Sequence, residues 1–495
     1  MKRILIYIPV ILCLAQACKN APSDYAEGGM ACISPDYTDI KVPSNIAPVN
    51  FMIKDSANQY LTVLESGQKR ISINGRKVCI PSRKWRSLVS QGDITVSVYE
   101  KNGNGWTRMQ PFSISIADDI DPYITYRVIQ PSFETYRKLS IVQRDITGFN
   151  TRVVYSNSMT TSGAQFQCIN CHNFKNWHTD DMQFHIRGYL GGTILQTKGR
   201  LSKVNFKTDS LISSGVYPAW HPTHDYIAYS TNNTFQNLHT IDDNRVEVFD
   251  QRSDLILYNV ADNSVSIIEN SPTELECFPS WSADGKTLYY VSASIGDDPD
   301  SFYSNGGVST ATQQIRYNLC SKPFNPEDRT WGRSQTVIAA NQMGKSITLP
   351  RVSPDGRWLM FTMGSQGVFH IWHKDSELCM LDLSNGVFRP LDEINSPDVE
   401  SYHSWSSSGK WVVFSTRRDD GLYTRLYLAH MNSDGTFSKP FMLPQKDPEF
   451  SNRFMYSFNI PEFTVEPVKT SARKLASFIK GQNAASVNYV QKKEK

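Results

Sequence analysis

Short apolar runs separated by turn residues mark this chain. Between Ile46 and Ala117, Ile71 and Ile73 alternate with polar neighbours, as do Val96 and Val98, and again Phe112, Ile114 and Ile116. A strand with one face buried and one face in water needs this alternation. Asn74-Gly75 and Asn102-Gly103-Asn104-Gly105 fall between the runs, and such pairs supply the positive φ of tight hairpins. The pattern predicts a small β-sandwich over residues 46–120. A linker over 19–45, rich in small and turn-forming residues, precedes it.

The remainder repeats itself. Tyr217-Pro218-Ala219-Trp220-His221-Pro222, Phe278-Pro279-Ser280-Trp281-Ser282-Ala283-Asp284-Gly285, Leu349-Pro350-Arg351-Val352-Ser353-Pro354-Asp355-Gly356 and Tyr402-His403-Ser404-Trp405-Ser406-Ser407-Ser408-Gly409 share one punctuation. Each runs into an apolar strand, such as Leu288-Tyr289-Tyr290-Val291, and a second hairpin follows in most units, as at Asn385-Gly386. Four short strands per unit, at a spacing of about 50 to 70 residues, are the sequence form of a β-propeller. The predicted class is all-β, a sandwich followed by a propeller over 121–463. Six blades fit best, with seven the alternative. Ile141–Tyr155 matches a second hairpin without its first, and residues from Arg453 to Phe463 follow the last full hairpin. Pairing these two ends would close the ring without an open sheet edge. For the basic tail over 464–495, a solvated end is preferred to a short amphipathic helix around Leu475, Phe478 and Ile479.

Composition adds bounds. With 495 residues, 40% hydrophobic and 20% charged, the chain suits a folded, strand-rich protein of two domains plus targeting segments. Its net charge of +3 creates no global field for nucleic acid. Residues 1–18 read as a targeting signal, with basic Lys2 and Arg3, an apolar run Ile4–Leu14 too short to span a bilayer, then Ala15-Gln16-Ala17-Cys18. The last four residues resemble a bacterial lipoprotein cleavage box, with Cys18 the lipid attachment site; a plain secretory signal cut near Ala17 is the alternative. The expected location is the cell envelope, lipid-anchored and facing the periplasm, with the outer membrane the expected partner of the anchor.

The chemistry is concentrated at Cys168-Ile169-Asn170-Cys171-His172. In a Cys-x-x-Cys-His motif each thiol adds to a haem vinyl group and the histidine donates to iron. One covalent haem c is the expected cofactor, with Cys168 and Cys171 as thioethers and His172 as proximal ligand. Met182 and His185 are alternative sixth ligands, and Arg187 a candidate propionate partner. Asn270 precedes Trp281 by eleven residues, Asn395 precedes Trp405 by ten, and Asn157 precedes Cys168 by eleven. That spacing predicts the motif at a blade's first inter-strand turn, in the Trp slot. A zinc site using His178 or His185 and a redox dithiol are competing readings. Of the other cysteines, Cys32 and Cys79 form the most local candidate disulfide.

The repeat punctuation resembles the propeller repeats of TolB, the periplasmic Tol–Pal component, over about residues 160–450. Gln167–Phe174, Tyr217–Pro222 and Ser396–Trp405 resemble a family of Bacteroidetes TolB-like lipoproteins carrying the haem motif. The resemblance implies architecture and haem, not a substrate. The leading functional expectation is electron transfer or redox sensing with a redox or envelope protein partner. A protein- or glycan-binding platform without redox turnover is the second, and a haem oxidoreductase with an open iron position the third. Whether the chain is an enzyme stays open, and no Gly-x-Ser-x-Gly elbow occurs.

Overall fold

A bulge and a stapled turn recur from sheet to sheet and explain why the repeat closes into a ring. The computed structural model describes residues 21–130, 138–162, 165–238, 244, 246–296 and 314–491. Among these residues six antiparallel sheets follow one another. The second blade consists of Gln167–Lys175, His178–Gly188, Gly192–Thr197 and Arg200–Asn205, from the inside outward. The innermost strands of the next four are Gly215–Trp220, Glu274–Trp281, Ser346–Val352 and Glu400–Trp405. In the first blade, Tyr123–Ile129, Ser140–Asp145 and Thr151–Ser156 are joined by an innermost strand from the far end of the chain, Ser457–Thr464. The innermost strands touch their neighbours all the way round, so the ring is a six-bladed propeller closed by its two ends.

Register skips two residues within the innermost strands: Tyr217-Pro218, Phe278-Pro279 and Leu349-Pro350. The first of each pair has positive φ, 49° at Tyr217, 52° at Phe278 and 55° at Leu349. The bulge frees the following position from the ladder, where proline, lacking an N–H, is tolerated. Two residues further on, a tryptophan reaches back to the preceding blade. Trp281 Nε1 donates to Ala219 O at 3.1 Å, and Trp405 Nε1 to Arg351 O at 3.2 Å. The turn that follows organises itself. Ser282 Oγ donates to Asp284 Oδ1 at 2.6 Å and accepts from Thr287 N at 3.0 Å. Ser353 and Ser406 accept likewise from Trp358 N and Trp411 N. In the third blade His221 replaces the serine. Its Nδ1 accepts from Thr223 N and His224 N, and its Nε2 donates to Gly285 O at 3.0 Å in the next blade's turn.

The N-terminal sheets differ from the sequence expectation at their edge. Residues 26–43 are not a linker. Ala26–Met30 pairs in parallel with Gly105–Gln110, and Ile40–Pro43 with Phe112–Ala117. These pairings join segments some 75 residues apart in sequence, which no local pattern reveals. The sandwich shares one apolar core with the sixth and first blades, through Trp85, Val96 and Ile114 on its side and Trp411, Leu428, Ile124 and Phe463 on theirs. It thus covers the place where the ring closes. Cys32 and Cys79 are both free. They flank opposite ends of Phe51–Ile53, beside the pairs Ile33↔Ile53 and Phe51↔Val78. About four residues of strand, roughly 13 Å, lie between them, more than a disulfide spans.

The tail is also packed rather than solvated. Ala472–Gly481 is a helix, N-capped by Ser471, that buries Leu475, Ala476 and Ile479. Ala485–Ser486 and Asn488–Tyr489 add parallel strands to the outer edges of the second and third blades, covering edges that would otherwise invite pairing. No helix among the described residues is long and apolar enough to cross a membrane.

Candidate functional site

The Cys-x-x-Cys-His segment lies inside the innermost strand of the second blade, not at a turn. Its register skips between Asn170 and Asn173, and Cys171 has φ of 53°. Cys171-His172 therefore takes the bulge slot that holds Tyr217-Pro218, Phe278-Pro279 and Tyr402-His403 elsewhere, and Phe174 takes the Trp slot. The asparagine spacing misled. Asn157 does what Asn395 does, accepting from Leu139 N at 3.1 Å as Asn395 accepts from Leu378 N at 2.9 Å. The loop after Asn157 is longer, however, and seventeen residues separate it from Phe174.

His172 has a structural counterpart. His172 Nε2 donates to Thr125 O at 3.2 Å, on the second strand of the preceding blade. His403 Nε2 donates to Met360 O at 3.1 Å, on the matching strand one blade earlier. Burial pushes the two imidazoles down to about 4 and about 3, so both are neutral at physiological pH. Cys168 packs among Leu139, Ile141 and Phe184. Burial raises the pKa of both motif thiols, which keeps them protonated and weakly nucleophilic.

The remaining expected ligands do not gather there. Met182 sits in the same apolar cluster as Cys168. His185, three residues on, faces the other side of the sheet, with Nδ1 3.0 Å from Thr193 Oγ1. Arg187 is exposed at the strand end, paired in register with Cys168. His178 is largely exposed beside Glu466. Among the described residues no three His, Cys, Asp or Glu side chains converge as a metal site. Beside Cys171 and His172 there is a cavity of about 30 Å³, lined by Tyr217, Phe278, Leu349, Tyr402 and Ile460 among others. It has room for a single water, and a porphyrin is many times larger. These residues do not fit a haem within the folded chain. Coexpressed with a c-type maturation system, the protein is expected to retain no covalent haem after acid–acetone extraction; a reduced-minus-oxidised haem band in the extracted protein would refute this. Cys18 lies outside the described residues.

Above this plug the ring opens into a funnel of about 190 Å³. The residues two positions past the bulge's first residue form its floor: Asn173, Ala219, Ser280, Arg351, Ser404 and Glu462. Glu462 Oε1 accepts from Asn173 Nδ2 at 3.1 Å and Arg351 Nη2 at 2.9 Å, and its Oε2 from Ser404 Oγ at 3.2 Å. Trp220, Trp281 and Trp405 form the wall. Trp177 leans over the rim from a two-residue turn in which Asn176 and Trp177 both have positive φ, and its Nε1 donates to Trp405 O at 2.8 Å. Asn176 Nδ2 donates to Pro222 O at 2.7 Å. The backbone of Trp177 is strained, since bulky residues rarely adopt this region. None of these funnel residues stood out in the sequence as a site. The one available signal was that a repeat position two residues past each bulge carries Arg351 and Glu462 where other blades carry small residues.

No family model matches the chain, and no curated protein matches its sequence. Solved structures similar to it are propellers. An oligogalacturonate lyase in complex with manganese is 11% identical with a TM-score of 0.36, over 64% of this chain and 72% of that one. The periplasmic gluconolactonase of Pseudomonas aeruginosa is 10% identical with a TM-score of 0.32, over 68% and 99%. A prolyl endopeptidase is 11% identical with a TM-score of 0.32, over 65% of this chain and 42% of that one. The common feature is the propeller fold. Function therefore rests on the funnel and on the strand that lies beneath it.

Proposed function

We propose that this chain is a binding platform of the bacterial cell envelope, with a small polar ligand seated in the propeller funnel and no redox turnover. The observation that carries this is the funnel itself: a concave, aromatic-walled space over a convergent polar floor, the usual make-up of a small-molecule site. Tyr217, Phe278, Leu349, Tyr402 and Ile460 narrow the space beneath it to about 30 Å³, which supports a binding pocket rather than a conduit. The signal-like residues Lys2–Cys18 support export and a lipid anchor facing the periplasm, as in the TolB-like lipoproteins that the repeats resemble. The leading sequence expectation, electron transfer through haem, has no comparable support, because Cys171-His172 serves as the second blade's bulge.

Tryptophan fluorescence of the mature chain tests the reading. Titration with a panel of small sugars and short peptides is expected to give saturable quenching for at least one ligand. Ser280→Phe, which fills the floor, should abolish that response while the thermal unfolding transition persists. Saturable binding that survives Ser280→Phe in a folded variant would move the site away from the funnel.

A further inference from the structure

One hairpin of the third blade is longer than its blade. Tyr226–Leu238 and Val246–Asn259 pair along their whole length, from Tyr226↔Asn259 to Leu238↔Val246. Their neighbours stop early: the innermost strand pairs only as far as Thr231, and the outermost only as far as Leu255. Residues 232–238 and 246–253 therefore leave the sheet as a two-stranded ribbon, with a reach of about 20 Å at the usual strand rise. It projects from the face opposite the funnel, because Tyr226–Leu238 starts just past Pro222 on the funnel rim and runs away from it.

The ribbon does not stand free. Asn232 Nδ2 lies 3.4 Å from Cys277 Sγ, on the innermost strand of the fourth blade. Val246, Glu247, Phe249 and Asp250 are buried, whereas Asn233, Thr234, Phe235 and Gln236 are exposed. One strand thus lies against the ring and the other faces solvent. Its far end passes the fourth blade and docks on the fifth. Glu247 Oε2 accepts from His373 Nε2 at 2.8 Å, and Asn244 Oδ1 accepts from Lys374 N at 3.0 Å. Both partners belong to the loop after Trp358–Gly364. Gly367 of that loop closes on the pair, since a Cβ added there would lie 3.1 Å from both Glu247 Oε1 and His373 Cε1.

Glu247 and His373 are both buried, and Glu247 Oε1 and His373 Nδ1 have no hydrogen-bond partner. Each charge therefore depends on the other, and a buried pair that loses one charge leaves its partner uncompensated. Among the described residues, the charged and titratable groups around His373 are Glu247 on the ribbon and His370, Lys374 and Asp375 on its own loop. Arg417 of the sixth blade stacks at 3.5 Å on the neighbouring Trp372 ring. Burial pushes His370 down to about 3, so it stays neutral. Burial also opposes the charge on His373, but the hydrogen bond and charge of Glu247 outweigh it and hold the imidazole above its usual 6.5. By linkage, the pair contributes fully below pH 6.5 and is lost as the pH rises through the raised value.

We propose that the ribbon is a strap across the fourth blade, latched to the fifth by the Glu247–His373 ion pair, and that loss of the His373 proton releases it. The strap lies on the other face from the funnel, so its test does not depend on a funnel ligand.

Hydrogen–deuterium exchange of the mature chain, corrected for the intrinsic pH dependence of exchange, reads the latch directly. Amides of residues 246–253 are expected to lose about tenfold in protection between pH 6 and pH 9, the order of one charge-assisted hydrogen bond. Trp411–Thr416, in the sixth blade, should keep its protection. Asp250 on the ribbon also charges in this range, because burial pushes it up to about 7. Glu247→Gln separates the two groups: it keeps an acceptor for His373 Nε2, removes the charge and leaves Asp250 in place. Ribbon protection in this variant should no longer fall with pH. A fall that survives Glu247→Gln assigns the effect to Asp250 and overturns the latch. Unchanged ribbon protection in the unsubstituted chain, or an equal loss in Trp411–Thr416, overturns it as well.

Discussion

A chain ended before Ser457 is expected to lose cooperative folding altogether. Ser457–Thr464 is the innermost strand of the first blade, yet it comes from the opposite end of the sequence to the three strands it completes. Phe458, Ile460 and Phe463 are buried, with exposures of 5%, 7% and 1%. Burying side chains of this size contributes roughly 1.5–3 kcal/mol each, so these three together rival the whole stability of an ordinary domain, about 5–15 kcal/mol. Removal also strips the hydrogen bonds from one side of Tyr123–Ile129, leaves Thr424 Oγ1 without its Phe458 O partner at 2.6 Å, and opens a free edge inside the ring. Circular dichroism should show no sigmoidal melt, and size-exclusion chromatography should show aggregates. A truncated chain that remained monomeric with a cooperative transition would mean the ring does not depend on this closure.

The second large effect is expected at one glycine. Gly285 has φ of +71°, and a Cβ added there would lie 2.4 Å from both Cε1 and Nε2 of His221. That ring cannot swing aside freely, because it is fully buried and held by Thr223 N, His224 N and Gly285 O. Gly285→Ala therefore meets a conformational cost of about 1–2 kcal/mol and an overpacking cost of about 1–3 kcal/mol. A loss of roughly 3 kcal/mol in urea unfolding is expected. Gly386→Ala isolates the first term, since Gly386 has φ of +75° and nothing within 4 Å of its added Cβ; it should lose only about 1–2 kcal/mol. Equal losses at the two glycines would show that His221 does not staple the third blade to the fourth.

The funnel and the motif teach different lessons about reading a chain. The Cys-x-x-Cys-His spacing is chemically meaningful on its own, but a bulged innermost strand with histidine in the proline slot produces its second half without haem. His403, in Tyr402-His403-Ser404-Trp405, was visible from the start as a repeat residue. Aligning Cys171-His172-Asn173-Phe174 on it, instead of aligning Asn157 on Asn395, would have placed the motif in the strand. Arg351 and Glu462 stood in the repeat as well, but as single charged residues in separate blades they carried no signal of contact.

By itself the sequence determined the architecture: alternating runs, the Ser-x-Asp-Gly turns and their spacing required an all-β ring, and the incomplete units at its two ends required closure. Those features are local, set by hydrogen bonds and φ values within a few residues, and so they can be read in order along the chain. Tertiary structure alone decided the rest. It brought Asn173, Arg351, Ser404 and Glu462 from four blades to one floor, set parallel edge strands at residues 26–43, docked the tail helix, and turned His172 toward Thr125 O. Each depends on which residues meet across the ring, and that is fixed by register and closure, not by spacing in the sequence.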